Sequence, residues 1–203
     1  MRAFDRFDEL DQQSLPQGTQ VNSLLAIATV LAMLGLGVVI RNNTLAATTV
    51  YEDRINGVTA QLPANWLIDA EPEDQTYIFR ATDTGGIPFK TYIQVSIVTV
   101  GADANPRNVI DALNVLGPAR LSIYHVVSIE ETRLGDDVAT RITYFYVDTE
   151  ENPFLETEPT VVEGVDLVVI RRNQALIFTF RDAAATFEEN EFYFRNFLET
   201  VEY

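Results

Sequence analysis

The sequence predicts an α+β protein in which a single transmembrane helix precedes a largely antiparallel sheet packed with helices. Three observations support this prediction: a long uncharged apolar segment, several short segments with strand-like alternation, and two helical segments with marked ends. We therefore expect a polar N-terminal tail at 1–20, a transmembrane helix at 21–41, a linker at 42–54 and an acidic α+β domain at 55–203.

The apolar segment reads SLLAIATVLAMLGLGVVI, and no charged residue occurs between Asp11 and Arg41. At about 1.5 Å per residue it extends about 27 Å, close to the hydrocarbon thickness of a bilayer. The alternative is a cleaved signal peptide, which has a shorter apolar region and a basic start. The tail in this chain is net acidic, so we predict an uncleaved membrane anchor.

Three small residues of the predicted membrane helix, Ala28, Ala32 and Gly35, are spaced at i, i+4 and i+7 and share one face. Small residues let the backbone of a second helix approach closely. We therefore predict that this face contacts integral membrane subunits of a larger complex. A stripe of alanine and glycine is also common in membrane helices that have no partner.

The positive charges on the two sides of the apolar segment are nearly balanced, with Arg2 and Arg6 before it and Arg41 and Arg54 after it. The N-terminal amine adds slightly to the positive charge of the tail. We predict a cytoplasmic tail and an extracytoplasmic domain.

The formal net charge of the chain is −16 at pH 7, which argues against binding to nucleic acid or to an anionic membrane surface. It favours a basic protein partner, bound cations or simple solubility. The chain has no cysteine and one histidine, His125, so disulfides, thiolate nucleophiles, iron–sulfur clusters and most zinc sites are excluded. We predict no cofactor.

Alternating apolar residues and turn signals predict the strands of the domain, and capping residues predict its helices. The first helix has Asn105, Pro106 and Gly117 at its ends. The second begins at Thr186, which with Glu189 forms a capping-box pattern. The predicted strands cover residues 57–62, 76–81, 91–100, 126–134, 138–148, 165–172 and 175–180.

Two further features have a structural and a functional interpretation. His125 lies between apolar residues, so we expect a core or strand-edge histidine rather than a catalytic base, since no serine nucleophile is evident beside it. Gly85 and Gly86 precede Ile87 and Pro88 rather than a helix, so we expect a turn and not a phosphate-binding loop.

The segment 148–166 carries seven acidic residues and is the longest predicted loop. Three interpretations of this segment stay open: a solvated loop, a protein contact or a metal site. The segment lacks the residue spacing of a calcium-binding loop. Phe154 and Leu155 within it could either fold back on the domain or insert into a partner. The candidate partner-contact residues here are Phe154, Leu155, Glu156 and Glu158.

Four segments of the domain carry a resemblance to a known family. They are the opening G-V-x-x-x-L-P-x-x-W, the strand ATRITYFY, the hairpin VVIRRNQALIFTF and the final helix FEENEFYFRNFLETV. Over residues 55–203 the chain resembles the PsbP-like family of extrinsic photosystem proteins and their bacterial relatives. The resemblance implies a non-enzymatic sheet-and-helix sandwich on the non-cytoplasmic side of a membrane. It transfers no functional residue, and this chain lacks the basic surface of the photosystem proteins.

The resemblance also bears on Trp66, the only tryptophan. A lone aromatic residue after a strand could be a ligand platform, but the family pattern favours a packing role that closes one end of the sandwich.

These observations predict a non-catalytic accessory subunit of a membrane protein complex, for which the resemblance suggests an electron-transport or photosynthetic complex. The alternative is a membrane-anchored binding module for a basic protein, such as a soluble electron carrier, or for a small solute. An enzyme is the third hypothesis, and it would depend on His125.

Overall fold

The computed structural model describes residues 17–45, 47–70, 77–101, 108–112, 121–149, 158–171 and 173–203. The chain divides into two units, the first ending at Ala47 and the second spanning Thr48–Tyr203.

The first unit contains helix α1, Gln17–Leu45, which begins before and ends after the predicted span of 21–41. Its most apolar stretch, Asn22–Val39, has a mean hydropathy of 2.1, and none of it is buried inside the protein. Consecutive side chains such as Leu24 and Leu25 are exposed, so the apolar surface surrounds the helix. The helix is long and apolar enough to cross a membrane, although a signal sequence shares this length and composition.

The second unit is built on antiparallel strands. Strands β1 and β2 form a separate hairpin, and the other seven form one sheet in the order β3-β4-β5-β9-β8-β7-β6. Helix α2, Phe187–Thr200, follows the last strand. This confirms the predicted α+β class. The strands are β1 Thr48–Asp53, β2 Val58–Pro63, β3 Leu67–Asp69, β4 Phe79–Thr82, β5 Tyr92–Thr99, β6 Ser122–Leu134, β7 Asp137–Asp148, β8 Thr160–Arg171 and β9 Gln174–Ala183.

The structure differs from the prediction at the start of the domain. The segment 42–54, expected to be a linker, is divided between the end of α1 and strand β1. Strand β1 pairs with β2 from Thr48 opposite Pro63 to Asp53 opposite Val58. Its side chains are mostly exposed, so it has little of the apolar alternation by which a strand is recognised in a sequence. Pairing with β2 stabilises it instead.

Strand β8 also begins earlier than predicted, at Thr160. Glu163, which the sequence assigns to the long loop, therefore belongs to the sheet. Asp148 and Asp166, at the ends of that loop, lie in β7 and β8 as the predicted strands 138–148 and 165–172 imply. The predicted helix over 105–117 is described only at 108–112, and these five residues are helical.

Helix α2 packs on one face of the sheet, which we call the first face. Its buried side chains are Phe187, Phe194 and Phe197, which are spaced so that they share one face of the helix. The ring of Phe194 stacks on that of Phe180 of β9 at 5.5 Å between centroids. The ring of Phe197 lies 6.0 Å from that of Phe178. This aromatic cluster fixes the helix over β9.

The capping box predicted at the start of α2 does not form. Thr186 makes no side-chain hydrogen bond that caps the helix. Its hydroxyl instead donates to Oδ2 of Asp182 at 3.0 Å, and Asn190 donates to the same oxygen at 2.8 Å. The Thr186 hydroxyl is therefore bound to the buried carboxylate of Asp182 and does not cap the helix.

The second face of the sheet has a separate core. Its buried side chains include Ile142 and Tyr144 of β7 and Val168 of β8, and the helical residues Val109 and Ile110 pack with them. The sheet is thus covered on both faces, as in a sandwich.

Candidate functional site

The small residues of α1 lie on an exposed helix surface. Ala28, Ala32 and Gly35 are all exposed, and a Cβ atom built on Gly35 would meet nothing within 4 Å. The backbone could therefore approach another helix closely along this face. That these residues contact a partner stays a prediction.

Trp66 is a packing residue. Its side chain is 8% exposed and belongs to the core of the first face. Its ring lies 5.2 Å from that of Tyr193 in α2, and its backbone N–H donates to the carbonyl of Pro63 at 3.1 Å. The predicted packing role of Trp66 is confirmed.

His125 lies on the exposed side of β6, the edge strand of the sheet, opposite Phe145 in the register. This is the strand-edge position that the sequence favours. Gly85 and Gly86 lie in the connection between β4 and β5, where the N–H of Gly85 donates to Oδ1 of Asp83 at 2.9 Å. The expected turn is therefore present.

The candidate contact residues Phe154, Leu155 and Glu156 lie outside the described residues. Glu158 is exposed just before β8. In the described part of the chain, no group of three or more His, Asp or Glu side chains is placed to hold a metal ion.

A buried polar cluster crosses the second face, beside the apolar and aromatic side chains of its core. Oδ1 of Asp166 accepts hydrogen bonds from Thr179 Oγ1 at 2.7 Å and from the Tyr144 hydroxyl at 3.2 Å. The same hydroxyl accepts from Nε of Arg181 at 2.9 Å. Burial raises the pKa of Asp166, although Arg181 and the two hydrogen bonds oppose this shift.

Aromatic rings surround the charge of Arg181. Its guanidinium carbon lies 5.7, 5.5 and 5.2 Å from the ring centroids of Tyr92, Tyr144 and Tyr146. Arg80 lies on Tyr92 as well, at 4.8 Å. Cation–π contacts of this kind stabilise a partly desolvated guanidinium. One signal in the sequence could have located the cluster, namely an arginine that directly follows the apolar strand ALIFTF.

An open groove of about 750 Å³ lies between one flank of α2 and the β6–β7 hairpin. Its lining includes four arginines from four different elements, Arg133, Arg141, Arg171 and Arg195. No sequence pattern predicts this groove, because its lining residues are far apart along the chain.

Two of the groove arginines have partners. Nη2 of Arg141 lies 2.6 Å from Oε1 of Glu191 in a half-buried ion pair. Arg171 donates to the carbonyl oxygen of Tyr203 and lies over its ring. The Tyr203 hydroxyl donates to Oδ2 of Asp137 at 3.2 Å, and burial raises its pKa to about 12. The last residues of the chain thus close one end of the groove.

Comparison with known proteins identifies the fold. Cyanobacterial PsbP (CyanoP) from Synechocystis sp. PCC 6803 matches 77% of this chain and 92% of its own, with a TM-score of 0.56 and 12% identity. The fold is PsbP-like. LpqN of Mycobacterium tuberculosis, involved in cell envelope biogenesis, matches 76% of this chain and 89% of its own, with a TM-score of 0.51 and 12% identity.

The Ran-binding protein Mog1p of Saccharomyces cerevisiae is also similar, with a TM-score of 0.48 and 9% identity over 77% of this chain and 95% of its own. No protein-family model and no curated protein matches the sequence. At these identities the matches to CyanoP and LpqN establish the PsbP-like fold and do not establish a function for this chain.

Proposed function

We propose that this protein is a single-pass, non-catalytic accessory subunit of a membrane protein complex, with its PsbP-like domain on the extracytoplasmic side. In this proposal α1 anchors the chain and packs against integral membrane subunits. The domain covers part of the complex outside the membrane. An electron-transport or photosynthetic complex is the form that the fold likeness favours.

The observation that carries the proposal is the apolar surface of α1. Among the described residues, none of the eighteen from Asn22 to Val39 is buried, and apolar side chains lie exposed around the helix. Such a surface is unfavourable in water and favourable in a bilayer. The second unit has a core of its own, so it does not need α1 to complete its sheet.

Purification of a tagged chain from native membranes in mild detergent tests the assembly. We expect the chain to migrate as part of a larger complex on a native gel, with defined partners identified by mass spectrometry. Migration only as a free monomer would contradict the proposal.

A matched pair of helix variants tests the packing face. Ala28→Leu with Gly35→Leu enlarges the small-residue face, and we expect it to release the chain from the complex. Ala26→Leu with Gly37→Leu makes the same exchanges about half a turn away, because residues follow at about 100° in a helix. The second variant should stay in the complex. Equal behaviour of the two variants would exclude this face as the contact.

The absence of cysteine makes the orientation simple to test. A single cysteine at the exposed position Lys90 would be the only target for a membrane-impermeant maleimide. We expect labelling in intact cells without lysis. A cysteine at Ser14, in the predicted tail, should be labelled only after lysis. The opposite pattern would place the domain in the cytoplasm.

The charge distribution supports a second candidate, an anchored module that binds a basic protein. From residue 51 onwards the chain has 26 acidic and 11 basic residues. Opposite charges accelerate association, and salt screens this effect. Using a basic c-type cytochrome as probe, we expect the association rate to fall steeply with ionic strength. A rate that does not change with salt would exclude electrostatic steering.

A further inference from the structure

The two edges of the seven-stranded sheet differ in length. Strand β3 at one edge has three residues, whereas β6 at the other edge has thirteen. An edge strand leaves alternate N–H and C=O groups unpaired, and proteins protect such groups with short strands, bulges, charged side chains or proline. The length of β3 protects one edge, so β6 is the edge at which another strand could pair.

Bulges interrupt only the first half of β6. The register with β7 shifts between Ser122 and His125 and again between Val126 and Ser128. Such irregularities twist a strand and hinder pairing at its free edge. From residue 128 to residue 134 each residue of β6 follows in register with β7, and this stretch has neither proline nor lysine. We call residues 128–134 the regular segment of β6.

The turn at 135–136 determines which backbone groups of the regular segment point outward. Leu134 and Asp137 flank this two-residue turn, whose first residue has a φ of +57°, and such flanking residues form a hydrogen-bonded pair. Because bonded and non-bonded pairs alternate, every second residue before Leu134 directs its N–H and C=O away from β7. These residues are Ile129, Glu131 and Arg133. In the described part of the chain, no backbone hydrogen bond reaches their outward groups.

The side chains of the regular segment have opposite charges two residues apart. Ile129 lies opposite the buried Ile142, so its side chain is on the second face of the sheet, and alternation places Glu131 and Arg133 on the same face. Thr132 between them is on the first face. Glu131, Thr132 and Arg133 are all exposed. A strand with this charge pattern can pair antiparallel with its own copy so that each charge faces its opposite.

We propose that the regular segment of β6 pairs antiparallel with the same segment of a second copy of this chain, around a two-fold axis at Thr132. In this register Glu131 of each copy lies opposite Arg133 of the other, and each such pair exchanges both of its outward backbone hydrogen bonds. An axis at Glu130, Glu131 or Arg133 would instead place like charges opposite each other. The charges of the segment therefore select one register. This pairing does not depend on the accessory role, which concerns α1.

Sedimentation velocity of the full chain in detergent, over a range of concentrations, tests the charge pattern. We expect a reversible dimer, and Glu131→Arg or Arg133→Glu should each raise its dissociation constant about tenfold or more, because both cross-strand pairs become like-charged. Glu131→Arg makes the chain less acidic, so a general repulsion between acidic copies predicts the opposite change. The variant with both substitutions should dimerise like the wild type, and a mixture of the two single variants should form mixed dimers.

Cysteine cross-linking tests the register, because the chain has no cysteine of its own. In the proposed dimer the two Cβ atoms at Thr132 are about 4.5–5.5 Å apart, close to the span of a disulfide. Oxidation of Thr132→Cys with copper phenanthroline should therefore give a covalent dimer. Glu130→Cys is the matched control, since this exposed position on the same face lies four residues, or about 13 Å along the strand, from its own copy.

Several results would overturn the proposal. They are a wild type that stays monomeric at every concentration, a dimer that survives both single charge reversals, and cross-linking of Glu130→Cys as fast as that of Thr132→Cys. A dimer held together by α1 alone would show the second of these results. Cross-linking of Thr132→Cys in native membranes only to a different protein would also overturn it, because a foreign strand would then occupy the edge.

Discussion

Gly164 of β8 offers a sharp test of the second-face packing, because the ring of Tyr144 lies directly over it. A Cβ atom at position 164 would be 2.4 Å from Cε2 and 2.5 Å from Cζ of Tyr144. The ring is fully buried, and its hydroxyl bonds both Arg181 and Asp166. It therefore cannot move aside without breaking polar contacts. The perturbation is Gly164→Ala.

The expected cost follows from three effects. Alanine in place of glycine in a strand would by itself stabilise the fold by about 0.5–1 kcal/mol. Overpacking against the Tyr144 ring costs about 1–3 kcal/mol. Loss of the charged hydrogen bond between Arg181 and the Tyr144 hydroxyl costs about 1.5–3 kcal/mol. We therefore expect Gly164→Ala to lower the free energy of unfolding by about 2–5 kcal/mol.

Urea unfolding of the full chain in detergent measures this loss, with the fluorescence of Trp66, the only tryptophan, as the signal. Gly101→Ala is the control, because a Cβ atom there would meet nothing within 4 Å, and it should change stability by less than about 0.5 kcal/mol. In the double variant with Tyr144→Ala the clash disappears, so the two costs should not add. Wild-type or higher stability of Gly164→Ala would refute the packing argument.

Three other substitutions test the remaining supports of the domain. Trp66→Ala should cost about 3–5 kcal/mol, as large aromatic truncations in cores do, and thermal unfolding followed by circular dichroism measures it. Asp182→Ala leaves the buried Thr91 hydroxyl, among other donors, without its acceptor and should cost about 2–4 kcal/mol in urea unfolding. Because the pKa of Asp166 is raised in the folded state, its protonation stabilises the fold below its unfolded pKa near 3.8, and this contribution is lost as pH rises through the folded value. As the pH is lowered towards 4, the free energy of unfolding of the wild type should therefore rise relative to that of Asp166→Asn. A difference between the two that does not change with pH would contradict the raised pKa of Asp166.

The elements that the sequence predicts well are those whose signal is local. Strand β7 alternates strictly in sequence, and in the structure Ile142, Tyr144 and Tyr146 are buried while Arg141 and Thr143 are not. The apolar face of α2 is equally local, and its three buried phenylalanines follow the helical period. In both cases the period of the side chains fixes which face is buried.

Features that no sequence pattern predicts depend on contacts between residues that are distant along the chain. Strand β3 has only three residues, of which Leu67 is 63% exposed, and it exists because it pairs with β4. The capping pattern at Thr186 failed because its hydroxyl donates to Asp182, whose buried carboxylate also accepts a hydrogen bond from Thr91 of a distant part of the chain. The arginines of the groove come together only after the sheet and α2 have assembled. No local pattern contains this information.

The proposed function assigns different roles to the two units of this chain, and the charge of the second unit supports this division. In the proposed function α1 alone holds the protein in the bilayer, since a domain with 26 acidic and 11 basic residues is not attracted to anionic lipids. Under this proposal, substitutions on α1 can change which membrane subunits the chain contacts without altering the domain, because the core of the domain forms without α1.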